Sequence, residues 1–244
     1  MLGKLSRWLG AAPDPIKPQG IEHWAQARGA IYRRVRNGEG FVVEGLQKGQ
    51  RWRIEWGASH RPYVQGNELR ILAELGLHPD LQVLVLNRTL LEHSESMVYE
   101  RYIEGVQTNI DTQTPTEIRW LVMYPKLSGA EMRTLDARFG AVASVKPWLQ
   151  QWIEGPLAPA LLAAGQQLSE KDPFVLAVAR GRLTLRLAMP APDLDAMGRW
   201  LQLFVLAAQE ASRVAGEWQD SGFAPTSTRA SAWPDDVRSG PSPA

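Results

Sequence analysis

The chain has no cysteine. That single absence removes disulfides, thiolate zinc sites, iron–sulfur clusters and a cysteine nucleophile. It fits a reducing compartment, and the reading adopted is a cytoplasmic protein. No apolar run reaches the ~18 residues that a membrane span needs. The longest candidate, Trp200 to Ala208, is interrupted by Gln202. Met1–Gly10 carries Lys4 and Arg7, but Pro13, Pro15 and Pro18 follow where a secretory apolar core would stand. Charge of one sign is also missing. Lys+Arg is 27 against Asp+Glu 26, a formal net charge of +1. A protein that coats nucleic acid would show a basic excess.

Motifs are scarce as well. There is no P-loop, no Gly-x-Ser-x-Gly elbow and no His-Glu-x-x-His pair. Gly38-Glu39-Gly40 lacks a third glycine and precedes a strand, so it reads as a turn. The four histidines, His23, His60, His78 and His93, never pair at three or four residues apart. Glu92-His93-Ser94-Glu95 is the densest cluster of ligand-type residues. Neighbours on a helix diverge by ~100°, so His93 and Glu92 could not face one metal. Ser59-His60-Arg61 reads as a loop with no identifiable orienting acid. No catalytic residue, metal site or cofactor is assigned.

What is present is 244 residues of ordinary globular composition, 44% hydrophobic and 22% charged. That length suits one large domain or two small ones. Arginine supplies 21 of the basic residues and lysine 6, a bias read as that of a bacterial chain. Met1, Leu2, Leu5, Trp8 and Leu9 share one helical face. A Pro-rich stretch separates them from the body, so residues 1–20 read as an amphipathic terminus and linker. Two covers for this face stand open. One is the body of the protein, met through Trp8. The other is an anionic membrane surface, with Leu2, Leu5, Trp8 and Leu9 facing lipid and the protein peripheral on the inner membrane.

Residues 21–125 read as a strand-rich lobe. Arg51-Trp52-Arg53-Ile54-Glu55-Trp56 alternates, placing Trp52, Ile54 and Trp56 on one face and the charges on the other. Phe41–Leu46 precedes it across a loop of about four residues, Gln47–Gln50, which predicts a hairpin. Leu69–Leu75 and Leu81–Leu86 read as further strands, and Leu90–Tyr102 as a short helix. Ile118–Tyr124 reads as a buried strand, with Trp120, Val122 and Tyr124 on one side and Pro125 as its stop.

Residues 126–218 read as a mixed lobe. Ser128 and Glu131 have capping-box spacing for a helix over Gly129–Phe139. A short strand over Ala141–Ser144 and helices over Pro147–Glu154 and Leu157–Leu168 follow. Phe174–Ala179 and Leu183–Leu187 flank Arg180-Gly181-Arg182, the clearest hairpin in the chain. Asp193 caps a long helix to about Ala215. Residues 219–244 are rich in Ser, Pro and Gly and read as a disordered tail. The sum is an α+β protein, with antiparallel sheets, helices packed on one face, and two lobes dividing near Pro125.

Leu157-Ala158-Pro159-Ala160-Leu161-Leu162 and Gly181-Arg182-Leu183-Thr184-Leu185-Arg186 carry a resemblance. Residues 140–190 resemble a family of uncharacterised bacterial proteins with a strand–helix–helix–hairpin layout. These motifs are packing and turn residues, and the resemblance implies no activity.

Charge patterning says more than net charge. His23–Gln65 holds eight basic residues against three acidic ones; Glu92–Glu117 holds six acidic residues against Arg101 alone. Either the two regions pair inside the fold, or the basic face meets lipid headgroups, nucleic acid or an acidic partner. Arg33, Arg34, Arg36, Arg51 and Arg53 are the candidate anion- or partner-facing residues. Trp24, Tyr32, Phe41, Trp52, Trp56 and Tyr63 interleave with them, as in single-strand binders, but rings opposite the arginines belong to a core. The reading adopted is a non-catalytic binding or scaffold protein with a protein partner, and a homo-oligomer is compatible with it. The alternatives are an enzyme using carboxylate or histidine chemistry and a nucleic-acid-binding module.

Overall fold

The computed structural model describes residues 18–35, 40–103 and 114–220. The apolar terminus with Leu2, Leu5, Trp8 and Leu9, together with Arg36 and residues 221–244 of the expected tail, lies outside them.

Eight strands form one antiparallel sheet: β1 (Ile31–Arg34), β2 (Gly40–Gln47), β3 (Gln50–Ala58), β4 (Asn67–Glu74), β5 (Val83–Asn87), β6 (Phe139–Ala143), β7 (Phe174–Ala179) and β8 (Arg182–Ala188). Their order across the sheet is β1-β2-β3-β4-β8-β7-β5-β6. The helices are α1 (Pro18–Gln26), α2 (Arg88–Ile103), α3 (Thr116–Met123), α4 (Gly129–Met132), α5 (Lys146–Ile153), α6 (Leu157–Gln167) and α7 (Leu194–Asp220). The α+β class therefore holds.

Both predicted hairpins form, and each turns in two residues. Lys48 and Gly49 close β2–β3 with φ of 50° and 79°; Arg180 and Gly181 close β7–β8 with 52° and 76°. Positive φ at both central positions matches the right-handed twist of the strands, and glycine takes the second at no steric cost. The four-residue loop expected at Gln47–Gln50 shrinks because Gln47 pairs with Gln50.

The sheet runs through the division expected near Pro125. β5, from the first half, lies between β6 and β7, and β4 pairs with β8 over seven residues. Helices also cover both faces rather than one. On the larger side α1, α5, α6 and α7 pack over Phe41, Val43, Trp52, Ile54, Leu69, Leu185 and their neighbours. On the other side Leu90 and Leu91 of α2 and Ile118, Trp120 and Leu121 of α3 cover Leu84, Leu86, Val142, Val175 and Ala177. β5 and β6 are buried at every position, so they present apolar groups both ways and need two covers.

The strand expected over Ile118–Tyr124 is instead helix up to Met123. Glu117, Ile118, Trp120 and Leu121 of α3 turn inward, while Val122 and Met123 are exposed. Alternation at Trp120, Val122 and Tyr124 coincides with a helical repeat at 117, 118, 121 and 124, and the helical one wins. Pro125 still ends the element, holding Tyr124 extended. The capping box of Ser128 and Glu131 is present, but α4 lasts four residues and passes through a 3-10 turn at Arg133–Leu135. Phe139 already belongs to β6.

Two elements carry no expectation above. α1 opens on Pro18, whose missing N–H is harmless at a first helical position. It buries Ile21, Trp24 and Ala25. β1 is four residues long and lies at the sheet edge. At the other end, Asp193 accepts from the N–H groups of Asp195 and Ala196, both at 2.9 Å, and starts α7 as predicted. α7 continues through Gln219 and Asp220, two residues into the segment read as tail.

Candidate functional site

The second face of the sheet is apolar under α2 and α3 and charged beyond them. The register explains the change. Arg33, Val42, Glu55, Arg70 and Arg186 stand opposite one another in one row across five strands. Ile31, Glu44, Arg53, Leu72 and Thr184 form the next row. Residues two apart on a strand point the same way, so all of these side chains share the face.

The charges connect into a ladder. Arg33 Nη1 lies 3.2 Å from Glu44 Oε2, and Arg53 Nη1 lies 2.7 Å from Glu44 Oε1. Arg53 Nε donates to Glu55 Oε1 at 2.5 Å, and Arg70 donates to the other oxygen of Glu55. Arg70 and Arg186 are directly opposed like charges. Glu68 reconciles them, accepting from Arg186 Nη1 at 2.8 Å and from Arg70 Nη1 at 3.4 Å. Burial grades along the ladder: the side chain of Arg33 is 62% exposed, that of Arg186 12% and that of Glu68 4%. The outer pairs are screened by water and contribute little, whereas the inner ones are strongly coupled. Burial, then the like charges of Arg186 and Arg53, lower the Arg70 guanidinium to about 10, still protonated at neutral pH.

A second cluster closes the inner end. The loop between β3 and β4 carries Arg61 and Tyr63 to Glu117 on α3. Arg61 Nε lies 2.6 Å from Glu117 Oε1, and the Tyr63 hydroxyl donates to the same oxygen at 2.7 Å. Burial, reinforced by Glu117, raises the Tyr63 hydroxyl well above its ordinary value, so it stays a proton donor. Burial pushes the Glu117 carboxyl up. The hydrogen bonds from Tyr63 and its own backbone N–H, with the Arg61 charge, outweigh that and hold it below the ordinary value.

A depressed folded-state value has a signed consequence. The stability that Glu117 contributes is present above the unfolded glutamate value of about 4.3 and is lost as pH falls through the lower folded value. Glu117→Gln is therefore expected to destabilise the protein at pH 7, and the gap to the parent should shrink below about pH 4. Urea denaturation at both pH values checks this; a gap independent of pH would contradict it.

Outward from the ladder no described residue covers the face. A concavity of about 770 Å³ is lined by Ile31, Glu44, Arg51, Arg53, Leu72 and Arg182, among others. Ile31, Val35 and Leu46 are large apolar side chains with 58%, 45% and 59% exposure. Arg182 pairs with Glu74, and Arg51 makes no ion pair among the described residues.

Of the arginines singled out from the sequence, Arg33, Arg51 and Arg53 share this face. Arg34 lies on the opposite side of β1, beside Tyr32. Arg36 lies outside the described residues. The basic and acidic regions meet at Arg61 and Glu117; most other basic partners are glutamates of the sheet itself. Glu95 pairs instead with Lys126. Tyr63 and Glu117 stood out only as an interleaved aromatic and an acidic-region residue, and the sequence did not single out Glu68, Arg70 or Arg186 as site residues. Their one local signal is period-two polarity along 68–74 and 182–186.

The interleaved aromatics turn away from this face or pack. Trp52 is buried, and Trp56 stacks on Phe41 with centroids 5.7 Å apart and donates to the Met189 carbonyl at 2.8 Å. Trp24 is buried beneath the Arg28 guanidinium, 4.1 Å from its ring centroid. His23, His60, His78 and His93 sit on four separate elements or loops. No group of three His, Asp or Glu able to hold a metal occurs among the described residues. No described helix is long and apolar enough to cross a membrane. Compared with family models, curated proteins and solved structures, the chain finds no match.

Proposed function

We propose that this is a non-catalytic binding or scaffold protein whose partner is another protein, met on the open half of the second sheet face. One observation carries the reading. Among the described residues, a single sheet face is roofed by α2 and α3 at one end and left uncovered at the other, with Ile31, Val35 and Leu46 exposed among arginines. Large apolar side chains grouped with guanidinium groups are the usual content of a protein-binding patch. Each glutamate of the ladder beneath is held between arginines, four arginines to three glutamates, so the ladder gives the patch a fixed shape and its surplus charge adds to Arg51 in selecting for negative charge.

A photo-reactive residue placed at Leu46 should give a discrete adduct with one partner in cells that make the protein. The same residue at Gln202, on the exposed side of α7, should give none. Equal adducts from both positions, or none from Leu46, would overturn the reading.

A further inference from the structure

The two edges of the sheet are treated differently. At the β6 edge, residues 125–127 complete the hydrogen bonding: Leu127 donates to Ala141 at 2.9 Å and Ala143 donates to Pro125 at 3.3 Å. β1 has β2 on one side and, among the described residues, no strand on the other. α1 does not occupy that edge with a strand; it packs onto the core face through Ile21, Trp24 and Ala25.

The groups left free on β1 follow from the ladder's phase. A two-residue turn makes Gln47 and Gln50 a hydrogen-bonded pair, so in β2 the odd-numbered residues bond to β3 and the even-numbered ones to β1. Glu44 faces Ile31 and Val42 faces Arg33, and Val35 donates to the Gly40 carbonyl at 3.2 Å, in the same phase. Ile31, Arg33 and Val35 are therefore satisfied inward. The backbone N–H and C=O groups of Tyr32 and Arg34 point outward and have no strand partner among the described residues.

We propose that the outer edge of β1 accepts an extended acidic segment of a partner protein as a ninth strand. The proposal rests on the binding reading above and names what the partner presents. Exposed strand edges are templates for pairing. The side chains of this edge set the complement. A residue opposite Arg33 and one opposite Arg34 are best acidic, and those opposite Ile31 and Val35 are best apolar. Arg33 is 62% exposed and bound to Glu44 through one nitrogen, which leaves donors for a second carboxylate. Around the edge, the described residues 18–58 hold Arg28, Arg33, Arg34, Lys48, Arg51 and Arg53 against Glu22, Glu44 and Glu55. The local surplus is positive although the chain is nearly neutral.

The test uses the full chain and a fluorescent peptide containing Val-Glu-Glu-Thr-Val, the complement of Val35 to Ile31 in an antiparallel strand, with Val-Lys-Lys-Thr-Val as control, read by anisotropy. The glutamate peptide should bind saturably and more weakly as salt rises, and the lysine peptide should not bind. Arg34→Pro removes an outward N–H without touching the β1–β2 bonds and should weaken binding at least tenfold. Arg34→Glu, which keeps the N–H, should weaken it several-fold. Equal binding of both peptides, or binding unchanged in Arg34→Pro, overturns the proposal. So does dimerisation lost in Arg34→Pro, since a second copy would then hold the edge. If the glutamate peptide fails while Leu46 still forms its adduct, the ninth strand falls and the open-face reading stands. Loss of both overturns both.

Discussion

Trp152→Ala is expected to cost about 3–5 kcal/mol of folding stability, measured by urea denaturation. Trp152 has no exposed surface. It lies on α5 between the sheet and α7, 5.5 Å in centroid distance from Trp148. Its indole Nε1 donates to the Ala207 carbonyl of α7 at 2.9 Å. Removing the ring empties the place where α5, α7 and the sheet meet, and two helices and a sheet cannot all collapse into it. Trp152→Phe separates the two contributions. It keeps most of the apolar contact and loses one hydrogen bond, for which about 1 kcal/mol is the ordinary net contribution. A cost under about 1 kcal/mol for the alanine variant would mean that α5 does not anchor α7.

Glu68→Ala should be as damaging for a different reason. Glu68 is 3% exposed and accepts from Arg70, Arg186 and the Ser59 hydroxyl. Its loss leaves two opposed guanidinium groups on neighbouring strands with the acid between them gone, which costs about 3–5 kcal/mol for a buried pair broken from one side. Replacing the pair together, Glu68→Leu with Arg186→Met, should recover most of that, because two apolar groups need no charge partner. A double variant no better than Glu68→Ala would show that the ladder does not act through charge compensation.

The legible part of this fold is local. Alternation across Arg51–Trp56 and Leu183–Leu187, with glycine at the turns, is enough to find both hairpins. Asp193 and the Ser128–Glu131 box mark helix starts that are present. What joins the two halves is not local. β4 and β8 pair from positions more than a hundred residues apart, and nothing in Asn67–Glu74 names Arg182–Ala188 as its neighbour. The single sheet, its second helical cover and the inner ladder all depend on that pairing. The same holds for the site. Arg33, Arg51 and Arg53 stand out by composition, but Glu68 and Arg186 become partners only through register, and Glu117 meets Arg61 only because α3 is a helix. Trp120, Val122 and Tyr124 mimic a strand so well that α3 is misread, although Glu117 in its first turn and Ile118–Leu121 spacing favour a helix.

Amide hydrogen exchange on the complex isolated from cells, compared with the chain alone, tests the open face most directly. Binding there should slow exchange in Ile31–Arg34, Gly40–Gln47 and Gln50–Ala58 and leave α5 and α6 unchanged. Slowed exchange confined to α3, beside exposed Val122 and Met123, or no change in β1–β3, would contradict the account.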